Sequence, residues 1–206
     1  MNDSTTIDVP NEATDGLHSL QTYVSDLLAL EEHIAKPLDA QLDSEAMKKY
    51  MQAAAIVRNI KTSNERHATA LKECLDSLGG HAASPIKSAW ASMLGGAAAA
   101  IGSSRKTKVT KWLRDDYTAL NLAAMGYTLL QATAIGLGNS SIAGVAKKGL
   151  ADYARSIMEV SEAVPDLVLC ELRDEGVAVE AAAAEQVRRE SESVWRDASK
   201  SLHGTN

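Results

Sequence analysis

Three buried-face positions of this chain carry side chains that could do chemistry. Four long stretches repeat apolar residues every three or four positions, which is the spacing of a helix with one buried face. On that face, where a helix bundle normally has leucine or alanine, the sequence places Glu31, the run Asn64–His67 and Asp116. Carboxylate and imidazole groups are common metal donors. The pattern predicts a bundle built around a metal-type centre, and the small number of donors predicts that this centre is incomplete.

Five helical segments must position these groups. The apolar periodicity predicts them over Leu17–Leu42, Ala46–Leu78, Lys108–Leu137, Ser141–Leu172 and Val177–Leu202. Pro37 is expected to kink or end the first helix, and a bend is expected before Pro165 in the fourth. Glycine pairs or Gly-Asn steps are expected to end the second and third helices. Residues 1–15 are polar without a period and are predicted to be disordered, residues 16–176 to form the bundle, and residues 177–206 to pack on its outside.

Composition sets the class and excludes some partners. A chain of 206 residues with 45% hydrophobic, 23% charged and 4% aromatic residues fits one soluble all-α domain. The net charge of -6 leaves no large basic surface, so no nucleic-acid partner is expected. The most apolar stretch, Ile86–Ile101, contains a lysine and two glycines and is too short for a membrane span. No secretory signal is visible at the N-terminus, and a cytoplasmic location is expected.

The order of long and short connections predicts the topology. Short links join the first helix to the second and the third to the fourth, whereas residues 79–106 form a long crossover. Two antiparallel hairpins joined by a crossover are the ferritin-like connectivity. The stretch Leu113–Leu120, continuing through Ala124–Tyr127 to Leu137–Gly138, resembles the third helix of small bacterial ferritin-like proteins related to the stress-induced subfamily. The resemblance implies a ferritin-like four-helix bundle and a site for iron or manganese.

The resemblance also implies a set of metal ligands. Dinuclear sites of this superfamily take one Glu from each of two helices and a Glu-x-x-His pair from each of the other two. Glu31 fits the first helix, His67 the histidine of the second, and Asp116 the third. Asn64 stands where the second helix should offer Glu, and the fourth helix has no carboxylate-x-x-His, although Glu162 falls level with Asp116. The predicted metal ligands are therefore Glu31, His67, Asp116 and Glu162.

A register count argues against one shared metal ion. If the first hairpin turns near residue 44, Glu31 lies opposite residue 57, and His67 is then roughly 15 Å further along the helix. Glu31 and His67 can share a metal only if the first helix runs past Ser44. Without metal, Glu31 is expected to pair with Arg58 or Lys61.

The other candidate residues also have structural interpretations. If no metal binds, His67 is expected to be a hydrogen-bonded histidine of the core. Asp116 is expected to accept from Tyr127, Tyr153 or Lys111, or to be an early-helix anion that the helix dipole favours. Half-buried rings with hydroxyls at the surface are expected for Tyr117, Tyr127 and Tyr153.

Three functions remain open on this evidence. The first is a ferritin-like, stress- or iron-associated protein with a partial dinuclear site, and the second is a non-catalytic bundle that docks a protein partner through its crossover and fifth helix. The third is an enzyme of the diiron oxidase or peroxidase type. A homodimer is expected, because Ala-rich faces and an apolar crossover containing Trp90 need a surface to bury them.

Overall fold

The computed structural model describes residues 12–80 and 108–204, and within these ranges it contains six α-helices and no strand. They are α1 (Glu12–Asp43), α2 (Glu45–Lys49), α3 (Met51–Ser77), α4 (Val109–Gly136), α5 (Ser140–Asp174) and α6 (Ala183–His203). The all-α class predicted from the sequence is confirmed. The predictions for residues 1–11 and for residues 81–107 of the crossover lie outside the described residues.

The first hairpin connection differs from the sequence prediction. Ser44 caps α2, because its hydroxyl accepts a hydrogen bond from the Met47 backbone N–H at 3.1 Å. Tyr50 then leaves the helical region, with φ -115° and ψ 81°, and α3 begins only at Met51. The predicted continuous helix from Ala46 is therefore broken after one short turn, and the hairpin turns later in the chain than residue 44.

The two helix-internal prolines do not end their helices. Pro37 was expected to kink or end the first helix; it does not end it, because α1 continues to Asp43. The lost backbone hydrogen bond is offset by burial on either side, since Ile34 and Leu38 are both in the core. Pro165 likewise lies inside α5, which ends at Asp174.

The glycine stops behave as predicted. Gly79 has φ 69°, and the Gly80 N–H donates to the Leu75 carbonyl at 3.0 Å, which is the bond that closes a Schellman motif. Gly138 has φ 70°, and the Asn139 N–H donates to the Ala134 carbonyl at 2.8 Å. Both positions need the left-handed conformation that glycine adopts without strain.

The chain divides into two compact units. Unit 1 has its described residues within Met1–His33, Ser63–Gly102 and Leu122–Ala151. In this unit α1 runs antiparallel to α3, because the Gln21 side chain donates to the Leu78 carbonyl while Glu31 contacts Asn64. It also runs antiparallel to α4, where Leu27 lies against Gly126.

Unit 2 has its described residues within Ile34–Thr62, Ser103–Asn121 and Asp152–Asn206. Its helices are joined by polar contacts near their ends. The α4 start is held by Glu171 of α5, whose carboxylate accepts from the Thr110 N–H at 3.1 Å and from the Thr110 hydroxyl at 2.6 Å. Asp174 accepts from Lys49 and from Tyr50, each at 2.7 Å.

The last helix packs through its first turn. Ala184 is buried and Arg188 pairs with Asp166 of α5, but every residue from 189 to 202 is exposed. The sequence predicted a helix lying along the bundle from Val177. In the structure it starts at Ala183, and its apolar stripe faces outward.

No helix in the part of the chain that the structure describes combines the length and apolar character that a membrane crossing requires.

Candidate functional site

A buried carboxylate lies at the centre of unit 1. Glu31 of α1 is 0% exposed, and its two oxygens lie within hydrogen-bond distance of three side chains. Asn64 Nδ2 donates to Oε2 at 2.6 Å and Tyr127 Oη donates to Oε1 at 2.6 Å. His67 Nδ1 lies 3.2 Å from Oε1. We call these four side chains the Glu31 network.

The other members of the Glu31 network are also buried. His67 is 5% exposed and Tyr127 is 1% exposed, and their rings meet edge to face with centroids 5.4 Å apart. Asn64 additionally donates to the Glu31 backbone carbonyl at 2.8 Å, so its amide holds both the side chain and the backbone of that residue. A buried carboxylate with several donors is the arrangement in which such a charge is tolerated in a core.

Tyr127 reaches Glu31 because α5 offers no side chain at the facing position. A Cβ added to Gly149 would lie 2.5 Å from Cε1 and Cζ of the tyrosine ring. Any larger residue would displace the ring. The periodicity predicted Tyr127 on the inward face, with its hydroxyl at the surface. The prediction for the hydroxyl was wrong, because Gly149 leaves room for the whole ring.

The predicted separation of Glu31 and His67 was also wrong. The count placed them roughly 15 Å apart along the hairpin, whereas the structure places them in hydrogen-bond contact. The reason is the short helix α2, which delays the turn so that Glu31 lies opposite Asn64 and His67. Of the two predicted cation partners of Glu31, Lys61 pairs with Asp39 of α1.

The other two predicted ligands lie elsewhere. Asp116 is in unit 2, where its Oδ1 accepts from Gln41 Nε2 at 3.0 Å rather than from a tyrosine or Lys111. Glu162 is exposed on α5. Gln41 was not predicted to be buried, although its position three residues after Leu38 continues the buried stripe of α1.

The Glu31 network does not fit a dinuclear metal centre. Within the described residues, no group of three or more His, Cys, Asp or Glu side chains is arranged to hold a metal ion. Glu31 and His67 bring only two such donors together. The N–H of Asn64 and the O–H of Tyr127 each engage one Glu31 oxygen, so a cation would have to compete with these two donors.

The arrangement can stabilise the fold but offers no reactive surface. General acid–base catalysis requires a group within hydrogen-bond reach of a substrate, and all members of the Glu31 network are buried. A neighbouring apolar groove of about 160 Å³ lies between α1 and α4, lined by residues that include Leu30, Leu122 and Leu129. It is smaller than the roughly 300–1,000 Å³ of ordinary small-molecule pockets.

Comparison with known proteins identifies a shared fold. No protein-family model matches the chain, and no curated protein matches its sequence. Among solved structures, the chain is similar to the protein XCC3681 of Xanthomonas campestris pv. campestris, with a TM-score of 0.62 and 15% sequence identity. The match covers 79% of this chain and 99% of that one. At this level of identity the likeness concerns the fold alone.

Proposed function

We propose that this chain is a non-catalytic, ferritin-like helical-bundle protein in which the hydrogen-bonded Glu31 network takes the place of a dinuclear metal centre. The observation that carries the proposal is the donor set: a carboxylate engaged by Asn64, His67 and Tyr127, with no third metal-type side chain beside it in the described residues. Such a centre specifies helix pairing without redox chemistry.

Two features support the ferritin-like part of the proposal. Antiparallel contacts join α1 to α3, and the short link 137–139 joins α4 to α5, while residues 78–108 separate the two hairpins in sequence. In addition, Glu31 and His67 match by residue type the ligands that this superfamily takes from its first two helices. Asn64 replaces the Glu that would complete the second pair, three residues before His67.

The test is a metal titration of the whole chain. Thermal unfolding is followed with and without Fe(II) under anaerobic conditions, and separately with Mn(II). We expect the unfolding midpoint to stay unchanged, because a ligand stabilises a protein only when it binds the folded form. A rise of several degrees at micromolar metal, together with ferroxidase activity, would overturn the proposal in favour of a diiron enzyme.

A second candidate function, docking of a protein partner, is favoured by the exposed stripe of α6. Trp195 is 71% exposed and Leu202 is 79% exposed, and both lie on the face that packs through Ala184 at the start of the helix. An amphipathic helix with an apolar face of this kind fits a groove on another protein. Its charged residues form pairs of both signs, such as Arg196 with Glu192, whereas a helix that binds anionic membranes has a basic polar face.

A second copy of the chain is the partner that we propose for this stripe. The chain offers α6 and, on unit 1, exposed Met125 and Leu129 as apolar surface. Pairing identical copies would bury such surfaces in a symmetric dimer.

A further inference from the structure

A second buried polar pair, in unit 2, lacks a hydrogen-bond donor. Gln41 of α1 and Asp116 of α4 are 5% and 6% exposed, and Gln41 Nε2 donates to Asp116 Oδ1 at 3.0 Å. The two remaining oxygens, Gln41 Oε1 and Asp116 Oδ2, are buried and have no hydrogen-bond partner. We call this the Gln41–Asp116 pair.

Both unpartnered atoms are acceptors, so exchanging the amide N and O of Gln41 cannot satisfy them. Exchange would place the amide oxygen against Asp116 Oδ1 and lose the existing bond. A single proton on Oδ2 satisfies both atoms, because the carboxylic O–H can then donate to Gln41 Oε1. The result is a two-bond ring between an amide and a carboxylic acid, in which each group donates once and accepts once.

The charged groups around the pair favour the neutral acid. The pKa of the Asp116 carboxyl is raised to about 6, chiefly by burial; the hydrogen bond from Gln41 lowers it and the adjacent Asp115 raises it, and about 6 is the net result. No lysine or arginine contributes to this shift. Other carboxylates of the unit are engaged elsewhere, Asp39 of α1 with Lys61 of α3, and Glu171 of α5 with Thr110.

We propose that the Gln41–Asp116 pair is a pH-sensitive clasp, closed when Asp116 is protonated and weakened when it loses that proton, because its two remaining buried oxygens have no other donor. The ionised carboxylate leaves two buried oxygens without a donor, so the α1–α4 contact in unit 2 loosens. Unit 1 has no such dependence on this proton, because each Glu31 oxygen already accepts from a donor.

The direction of the pH effect follows from the raised pKa. The folded state binds the Asp116 proton more tightly than the unfolded chain, by roughly a hundredfold for a shift of about two pH units. The stabilisation is therefore complete below pH 4 and is lost as the pH rises through 6.

The test compares the wild type with Asp116→Asn in the full chain. The asparagine amide donates at every pH and reproduces the proposed ring. Between pH 5 and pH 7.5 we expect the wild-type unfolding midpoint to fall by about 3–6 °C relative to that of Asp116→Asn. Asp115→Asn is the control for removal of an exposed carboxylate, and it should retain most of the wild-type pH dependence.

A direct measurement does not depend on any variant folding. The ¹³C shift of the Asp116 carboxyl carbon in wild-type protein should titrate near pH 6, and amide exchange in residues 34–43 and 109–121 should accelerate above that pH after correction for intrinsic rates. A carboxyl that is already ionised at pH 5 would overturn the proposal and indicate an ordered water as the missing donor. Parallel pH profiles for wild type and Asp116→Asn would overturn it equally.

Discussion

The residue type at position 64 determines how many metal-type donors lie beside Glu31. A glutamate there would add a second carboxylate three residues before His67, on the same helix face. Asparagine instead supplies an N–H that donates to Glu31 Oε2 at 2.6 Å. With asparagine at position 64, Glu31 is a hydrogen-bond acceptor in a buried polar cluster, whereas glutamate at that position would place a second potential metal ligand beside it.

Asn64→Glu tests this at the residue scale. Without metal, a second buried carboxylate beside Glu31 loses a hydrogen bond and adds charge repulsion, so we expect the free energy of unfolding to fall by about 3 kcal/mol or more. Added Mn(II) or Fe(II) should recover part of that loss, because three donors would then be present. The measurement is chemical denaturation with and without metal. Asn64→Gln is the matched control, since its amide cannot supply a charged ligand, and equal metal responses in the two variants would contradict the interpretation.

Sequence periodicity identified four of the seven buried polar residues in the described part of the chain. Glu31, Asn64, His67 and Asp116 were predicted to face inward, and all are in the core. Their partners could not be predicted, because a hydrogen bond across helices depends on a register set within a few residues by the hairpin connection. Gln41 escaped notice because glutamine near a helix end is usually solvated.

At the level of elements, the interval between α1 and α3 sets the geometry of the site. Ser44 starts a short helix and Tyr50 ends it, so that α3 faces α1 in a register that brings His67 to Glu31. A helical pattern running from Ala46 to Leu78 gives no sign of this break, because Met47 and Tyr50 fall on the same apolar stripe as the residues that follow. Glycine signals at 79 and 138 were correct because they have a local physical cause.

Close approach of α5 to Tyr127 leads to a prediction at this scale. Gly149→Ala would bring a Cβ within 2.5 Å of the ring, so Tyr127 must shift away from Glu31, and we expect a loss of about 1–3 kcal/mol in the free energy of unfolding. Gly144→Ala is the control on the same helix. Its Cβ would meet nothing within 4 Å, so the better helix propensity of alanine should leave stability unchanged or raise it by up to about 1 kcal/mol. Equal effects of the two changes in urea denaturation would contradict this packing.

For the molecule as a whole, the sequence indicated the all-α class but not the division into two units. Buried side chains of the same type occur along α1, α3, α4 and α5, so periodicity offers no signal for a boundary between residues such as His33 and Ile34. The exposure of the apolar stripe of α6 could not be predicted either. An apolar stripe indicates that a helix packs against something, but not whether the partner surface belongs to the same chain or to another.

The proposed homodimer is tested through α6. Light scattering at micromolar concentration should show a dimer for the wild type. Trp195→Glu should shift it toward monomer with little change in thermal stability, because the side chain is exposed within one chain. Met158→Glu, which changes an exposed methionine of α5, should leave the dimer intact. A monomeric wild type would exclude the dimer.

The measurement that tests the metal-free centre most directly is the metal content of the wild-type chain, purified without chelator from iron- and manganese-supplemented cells. Elemental analysis should give well under one iron or manganese per chain, because the Glu31 carboxylate is engaged by Asn64, His67 and Tyr127. Two metal ions per chain, lost together on Glu31→Gln, would contradict this conclusion and establish a dinuclear site in the position that the hydrogen-bonded network occupies.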